Sequence, residues 1–181
     1  MKRYIQSAVH DDITDENTSY SLLAMIARET VRPAELLRLA GCQNSYVQNA
    51  VLDNPNTPDE AFELLANSDD VQIWQSAYDH LGKTYLPPDQ ETNEDVLLKY
   101  AKSSDLHVIG ELGNNPNLTP AVYEALANST EFAARMTAAC SGGIPEAILR
   151  RLRSCDPAVS IRTTAKENLK LRSQYKKESA E

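Results

Sequence analysis

The side chains with the greatest capacity for chemistry are three histidines and three cysteines, and their spacing brings none of them together. They are scattered along the chain at His10, His80 and His107, and at Cys42, Cys140 and Cys155. Metal sites and nucleophilic dyads commonly place their residues at short spacings such as His-Glu-x-x-His or Cys-x-x-Cys, and neither motif occurs here. The sequence therefore predicts no metal site, no cofactor, no catalytic residue and no enzymatic activity.

Two other patterns could suggest chemistry, and each has a structural explanation. The tetrapeptide Cys140-Ser-Gly-Gly143 lacks the further glycines and following lysine of a phosphate loop. We interpret it as a turn, with Cys140 as a small core residue. Pairs of carboxylates such as Asp69-Asp70 fall at expected helix starts, where they satisfy free backbone amides.

Aromatic side chains are scarce, at 6% of the chain, yet three of them cluster at Trp74, Tyr78 and Tyr85. Tyr and Trp are frequent anchors of protein interfaces, so these three are candidate partner-binding residues. The alternative is that Trp74 belongs to the core, because its position in the repeat described next corresponds to that of Val47.

The chain repeats itself. Residues 46–68 and 108–129 share an Asn-Pro-Asn turn and end on Leu-Ala-Asn-Ser, and residues 4–12 match the first half of that unit. Weaker copies cover residues 32–40, 144–152 and 161–168. A self-similar period of roughly two dozen residues indicates a repeat architecture.

Each unit reads as two short helices. In residues 47–52, Val47, Ala50 and Val51 share one helical face, and Asn54-Pro55 should end the helix because Asn tolerates a left-handed cap. For the next helix we expect a capping box at its start, formed by Thr57 and Glu60, and an apolar stripe with Phe62 at its edge. That stripe is expected to comprise Ala61, Leu64 and Leu65. Helix starts are likewise expected at or one residue after Thr57, Thr119 and Pro145.

These motifs resemble the variant leucine-rich repeat family, whose unit carries Val-x-x-Ala, Asn-Pro-x-Thr-Pro and Leu-x-x-Leu-Ala. The resemblance implies an all-α fold: a right-handed superhelical solenoid of short α-helices alternating with 3₁₀ helices, related to HEAT and armadillo arrays. Some members add a cysteine cluster for an iron–sulfur centre. Because no Cys-x-x-Cys occurs in this chain, that cofactor is not expected.

The repeats predict a single domain over residues 1–181. Residues 1–19 form an N-terminal capping segment in which a second helix is missing, residues 20–169 carry the repeats, and residues 170–181 form a polar tail. An insertion of about eight residues interrupts the array at 79–92. Long irregular loops in compact arrays are usually functional or disordered. If this one is functional, replacing it with Asp-Asn-Pro-Asn-Thr should leave the helix content and thermal midpoint nearly unchanged and weaken partner capture.

Charge is distributed unevenly. Residues 150–181 carry nine Lys or Arg against four Asp or Glu, while residues 1–149 carry nine bases against 22 acids. An acidic body disfavours nucleic acid, whose phosphates need Lys or Arg, and favours a basic protein partner. The alternative is that the acids keep an elongated array in solution. Asp59 and Glu63 are the candidate partner-binding acids.

The leading prediction is a non-catalytic protein–protein interaction module. Two alternatives remain: a helical-repeat enzyme acting on damaged DNA bases, and a nucleic-acid-binding protein acting through the basic C-terminal end. That end contains Arg150, Arg151, Arg153, Arg162, Lys166, Lys170, Arg172, Lys176 and Lys177. The sparse cysteines and the absence of a signal peptide or of a run of about 20 apolar residues predict a cytoplasmic protein without a membrane span.

Overall fold

The computed structural model describes residues 20–178, and every regular element in that range is an α-helix. The all-α prediction is confirmed for this part of the chain, but the expected 3₁₀ helices are not found in it. Two compact units make up the chain, unit 1 (Met1–Thr84) and unit 2 (Tyr85–Glu181). The predicted capping segment 1–19, the repeat copy at residues 4–12 and the tail residues 179–181 lie outside the described range.

Between residues 20 and 84, unit 1 contains five short helices, and packing joins helices that are adjacent or next but one in the chain. They are α1 (Tyr20–Glu29), α2 (Pro33–Ala40), α3 (Ser45–Leu52), α4 (Asp59–Leu65) and α5 (Val71–His80). Val47, Ala50 and Val51 are each 0% exposed, as their helical spacing predicts. Helices this short are marginal in isolation, so burial of such apolar stripes against neighbouring helices stabilises them.

The α3–α4 turn is held by a buried asparagine rather than by a left-handed cap. The Asn54 side-chain amide donates to the carbonyl oxygens of Ala27 and Thr30, at 2.6 and 2.8 Å, and its own oxygen accepts from the Asn56 amide. In the described residues only glycine adopts a positive φ, so the expected left-handed Asn54 is wrong. The side chain satisfies carbonyls that the end of α1 leaves without helical partners.

The start of α4 also differs from its prediction. The helix begins at Asp59, and Thr57 donates its hydroxyl to the Val51 carbonyl at 2.6 Å instead of capping, so the Thr57–Glu60 capping box is wrong. The apolar face shifts accordingly: Phe62 is buried, whereas Leu64 is 44% exposed. Thr119 and Pro145 behave as predicted, since helices start one residue after each of them.

Unit 2 continues the pattern with six helices, which again pack against the first or second neighbour in the chain. They are α6 (Glu94–Ala101), α7 (Leu106–Gly113), α8 (Pro120–Ala127), α9 (Phe132–Cys140), α10 (Glu146–Cys155) and α11 (Val159–Glu178). Asn115 and Asn168 repeat the role of Asn54, because their amides donate to backbone carbonyls 24 to 29 residues earlier. Asn54 and Asn115 are the first residues of the two Asn-Pro-Asn turns, whereas Asn168 makes the same contact without that motif.

A second recurring contact marks the end of each repeat. The side-chain oxygens of Ser68, Ser103, Ser129 and Asp156 each accept from the backbone amide two residues later. Local bonds of this kind compete with helix continuation and so place a turn before the next helix. The Leu-Ala-Asn-Ser ending is therefore a turn signal.

The segment predicted as an insertion at 79–92 starts later than expected, because Asp79 and His80 still belong to α5. In unit 1, Gly82 (φ 63°) ends α5, and Lys83 donates its amide to the Tyr78 carbonyl at 2.9 Å. Glycine suits this left-handed position because it has no Cβ. In unit 2, the Glu91 carboxylate accepts from the amides of Leu86, Thr92 and Asn93.

The predicted tail is helical as far as the structure describes it, since α11 runs to Glu178 without a break. Arg172 ties this extension to unit 2 by donating to the carbonyl oxygens of Ile144 and Gly142 at 2.7 and 2.8 Å.

Candidate functional site

The acids predicted to bind a partner lie on one exposed face of α4. Asp59 and Glu63 are four residues apart, a spacing that places two side chains side by side on a helix. Their side chains are 86% and 57% exposed. A basic group approaching this face can therefore reach both carboxylates.

Side chains from α5 and its C-terminal turn cover part of that face. His80 Nε2 lies 3.2 Å from Asp59 Oδ1, and Lys83 Nζ lies 2.8 Å from Glu63 Oε2. The His80 ring stacks on Phe62 with a centroid distance of 3.5 Å, and Lys83 Nζ lies 5.6 Å from the centre of the Tyr78 ring. We call this set the α4–α5 patch: Asp59, Phe62, Glu63, Tyr78, His80 and Lys83.

The three aromatic residues predicted to bind a partner, Trp74, Tyr78 and Tyr85, differ in burial and in position. Tyr78 is half-buried and belongs to the patch. Trp74 is 0% exposed, as its correspondence to Val47 suggests, and meets Tyr78 edge-on at 5.2 Å. It supports the patch from the core and presents no surface to a partner. Tyr85 is half-buried in unit 2 and is not part of the patch.

Three patch members, Phe62, His80 and Lys83, were missed by sequence reasoning. Lys83 follows the glycine that ends α5, and this turn returns the chain toward α4. The contacts of His80 and Lys83 with α4 span 21 and 20 residues, respectively, so no local spacing rule could have found them. The usable signal was the repeat itself, because it makes consecutive helices pack against each other.

The basic end of the chain forms a surface cleft in unit 2 between α10 and α11. The cleft has a volume of about 550 Å³ and is lined by Arg150, Arg153, Thr163, Lys166, Glu167, Leu169, Lys170 and Ser173. We call it the α10–α11 groove. Other bases of this end serve the fold: Arg162 donates to the carbonyls of Asp156 and Pro157, and Arg172 to those of the α9–α10 turn. The side chain of Lys177 is not described.

The cysteines remain apart in the structure. Cys140 and Cys155 are exposed, so the predicted burial of Cys140 is wrong. Cys140 is the last residue of α9, and the buried face of that helix runs instead through Ala134, Ala138 and Ala139. Partial burial raises the pKa of the Cys42 thiol, opposed by a hydrogen bond with the Asn44 backbone. Within residues 20–178, no group of three or more His, Cys, Asp and Glu side chains is arranged to hold a metal ion.

No family model, curated protein or solved structure matches this chain. In the described part, no helix is both long enough and apolar enough to cross a bilayer.

Proposed function

We propose that this protein is a non-catalytic interaction module that binds a basic protein partner through the α4–α5 patch. The observation that carries the proposal is the pair of exposed carboxylates, Asp59 and Glu63, on one face of α4 beside a half-buried tyrosine. Interfaces combine aromatic contact area with charged groups of complementary sign, and the patch offers both.

Binding would proceed by exchange of ionic partners. Lys83 and His80 are the present neighbours of Glu63 and Asp59, and both are roughly half exposed. Exposed ion pairs contribute only about 0–1 kcal/mol, so an arginine of a partner can displace them at little cost. Arginine can then contact a carboxylate through two parallel hydrogen bonds, which fixes its orientation.

Net charge supports the same partner class. Between residues 20 and 84, unit 1 carries nine acids and four bases. Glu60 and Asp79 are exposed, and neither forms an ion pair with any residue in the described range. A surface with excess negative charge attracts basic proteins over several ångströms and accelerates their association.

The repeat architecture belongs to this proposal. Recurring asparagine contacts and packing between first and second neighbours support a right-handed solenoid of the variant leucine-rich repeat type. Such arrays present extended surfaces, which suits binding rather than catalysis. The proposed location is the cytoplasm, where isolated cysteines stay reduced.

The test is affinity capture from the native host, followed by mass spectrometry. The wild-type chain is compared with Asp59→Asn/Glu63→Gln, which removes two patch carboxylates with little change in shape. The matched control is Glu29→Gln/Glu131→Gln, which changes the net charge equally at two other exposed acids. We expect basic proteins captured by the wild type and the control to be lost from the patch variant. Capture that is equal for all three proteins would refute the proposal.

A further inference from the structure

We infer that the α10–α11 groove of unit 2 is a second binding site, which takes an acidic peptide segment in extended conformation. This site lies outside the proposed α4–α5 patch and has the opposite charge. Its evidence is independent of the first proposal, because it rests on which described cationic side chains of α10 and α11 have no hydrogen-bond or ionic partner among the described residues.

Most described bases of α10 and α11 are engaged within the protein. Arg151 pairs with Glu124, Lys176 and Arg150 both contact Glu146, and Arg162 and Arg172 donate to backbone carbonyls. The side chains of Arg153, Lys166 and Lys170 are exposed and form no hydrogen bond or ion pair with another described residue. These three are all groove-lining residues. Among the described side chains of α10 and α11, the positive charge without a hydrogen-bond or ionic partner is therefore concentrated in one cleft.

The cations are arranged along the groove on both of its walls. Arg150 and Arg153 are three residues apart on α10, and Lys166 and Lys170 are four apart on α11, so each pair lies on one helical face. Thr163 and Ser173 extend the α11 wall in both directions and add hydroxyl groups. At about 1.5 Å per residue, the distance along α11 from Thr163 to Ser173 is roughly 15 Å.

A length of roughly 15 Å accommodates about five residues of extended peptide, which rises about 3.3 Å per residue. Leu169 supplies an apolar contact between the walls. Alternate side chains of an extended strand point to the same side, so two or three acidic residues in such a segment can face the lysines and arginines. The Thr163 and Ser173 hydroxyls donate to the carbonyls of Val159 and Lys170, so their oxygens remain able to accept hydrogen bonds from peptide amides.

The lining favours a peptide over a nucleic acid. Proteins that bind single strands stack the bases on aromatic side chains, and no residue lining this groove is aromatic. Glu167 also lines the groove, where it would repel a continuous row of phosphates but can accept hydrogen bonds from peptide amides. An acidic peptide is therefore the occupant that the groove fits.

The test is fluorescence anisotropy on the full chain at about 50 mM salt, where screening of charge is weak. The probe is a fluorescein-labelled peptide of about six residues, with glutamate at alternate positions as the groove geometry requires. A peptide with glutamine at those positions and a single-stranded oligonucleotide of equal charge are the comparison ligands.

The groove variant is Lys166→Gln/Lys170→Gln, and the matched control is Arg38→Gln/Lys176→Gln, which removes the same charge from exposed bases outside the groove. Circular dichroism checks that both variants keep their helix content. We expect the glutamate peptide to bind at least about tenfold more weakly to the groove variant than to the control, because two charge contacts are lost.

Three results would overturn the inference: equal binding of the glutamate and glutamine peptides, equal weakening by both variants, or tighter binding of the oligonucleotide than of the glutamate peptide. The last result would assign the groove to nucleic acid.

Discussion

The side-chain amide of Asn54 donates a hydrogen bond to the carbonyl oxygen of Ala27, 27 residues earlier, at 2.6 Å. Asn115 makes the same contact with Pro88 at 2.7 Å, and Asn168 with Ser141 at 3.0 Å, each again across 27 residues. The interval equals one repeat. Each asparagine therefore connects one helical repeat to the preceding one. It does so by hydrogen bonds to backbone carbonyls that have no helical partner at a helix end or turn.

Removing the side-chain hydrogen bonds of Asn54 should destabilise unit 1. Asn54 is 4% exposed, and its amide and oxygen serve both the end of α1 and the α3–α4 turn. Asn54→Ala should lower the free energy of unfolding by about 3 kcal/mol, because several buried groups lose partners at once. Urea denaturation followed by circular dichroism measures the change.

The control is Asn49→Ala on the exposed side of α3, where the side chain bonds only to the Ser45 carbonyl. Its expected cost is within about 0.5 kcal/mol. If the two variants lost equal stability, the hydrogen bonds of Asn54 to the preceding repeat would not be a special source of stability.

The sequence predicted the helices and their periodicity well, since apolar spacing and turn residues act locally. Val47, Ala50 and Val51 are all buried as expected. The errors at Thr57 and Asn54 share one cause. Both side chains were assigned local capping roles, whereas one bonds back to Val51 and the other to Ala27. At Thr57 a hydrogen bond within the α3–α4 turn outweighs the local capping propensity, and at Asn54 a contact with the preceding repeat does so.

The segment between α5 and α6 should prove structural in its second half, contrary to the expectation from sequence. Glu91 is 3% exposed and its carboxylate accepts three backbone amides at 2.8 Å. Glu91→Ala should cost about 1–3 kcal/mol of unfolding free energy, because three backbone amides lose the buried carboxylate that accepts from them. Gln90→Ala, at an exposed neighbour, is the comparison in the same urea titration. Equal urea midpoints for the wild type and Glu91→Ala would instead show that this loop does not contribute to stability.

The three cysteines should differ in reactivity. Alkylation requires the thiolate, and partial burial raises the pKa of the Cys42 thiol, so Cys42 holds less thiolate at neutral pH and is less accessible. Cys140 and Cys155 are exposed. Timed iodoacetamide labelling with peptide mass spectrometry should show Cys42 reacting several-fold more slowly than the other two. Equal rates at all three positions would contradict the packing around Cys42.

One surface ion pair should make a stability contribution that depends on pH. The hydrogen bond from Arg151, at 2.5 Å, lowers the pKa of Glu124 below its ordinary value of 4.5. A carboxyl whose pKa is lower in the folded state stabilises the protein above the unfolded pKa, and this contribution disappears as pH falls through the folded pKa. Both side chains are more than one third exposed, so the contribution is below about 1 kcal/mol.

We therefore expect Glu124→Gln to be less stable than the wild type at pH 7 by that small amount. The difference should shrink as the pH falls below the ordinary glutamate pKa of 4.5. Chemical denaturation at a series of pH values provides the measurement. A stability difference between the wild type and Glu124→Gln that grows as the pH falls would contradict a stabilising Glu124–Arg151 ion pair.

Charge and composition directed attention to Asp59, Glu63 and the basic end, but they could not separate charges that have a partner in the protein from charges that line an open surface. Arg172 and Lys170 look equivalent in the sequence, yet the first donates to carbonyls and the second lines a cleft. Lys83 likewise reaches Glu63 only through the turn at Gly82. Such distinctions depend on packing between helices, which sequence spacing does not specify.

The salt dependence of association tests whether the α4–α5 patch binds a basic partner. The captured partner is immobilised, and surface plasmon resonance records its binding to the wild-type chain at salt concentrations from about 50 to 500 mM. We expect the association rate to fall several-fold over this range while dissociation changes less, because long-range attraction is screened and close contacts are not. Asp59→Asn/Glu63→Gln should flatten this dependence. An association rate that does not vary with salt, or an acidic partner whose binding is lost in Lys166→Gln/Lys170→Gln, would contradict the binding of a basic partner by this patch.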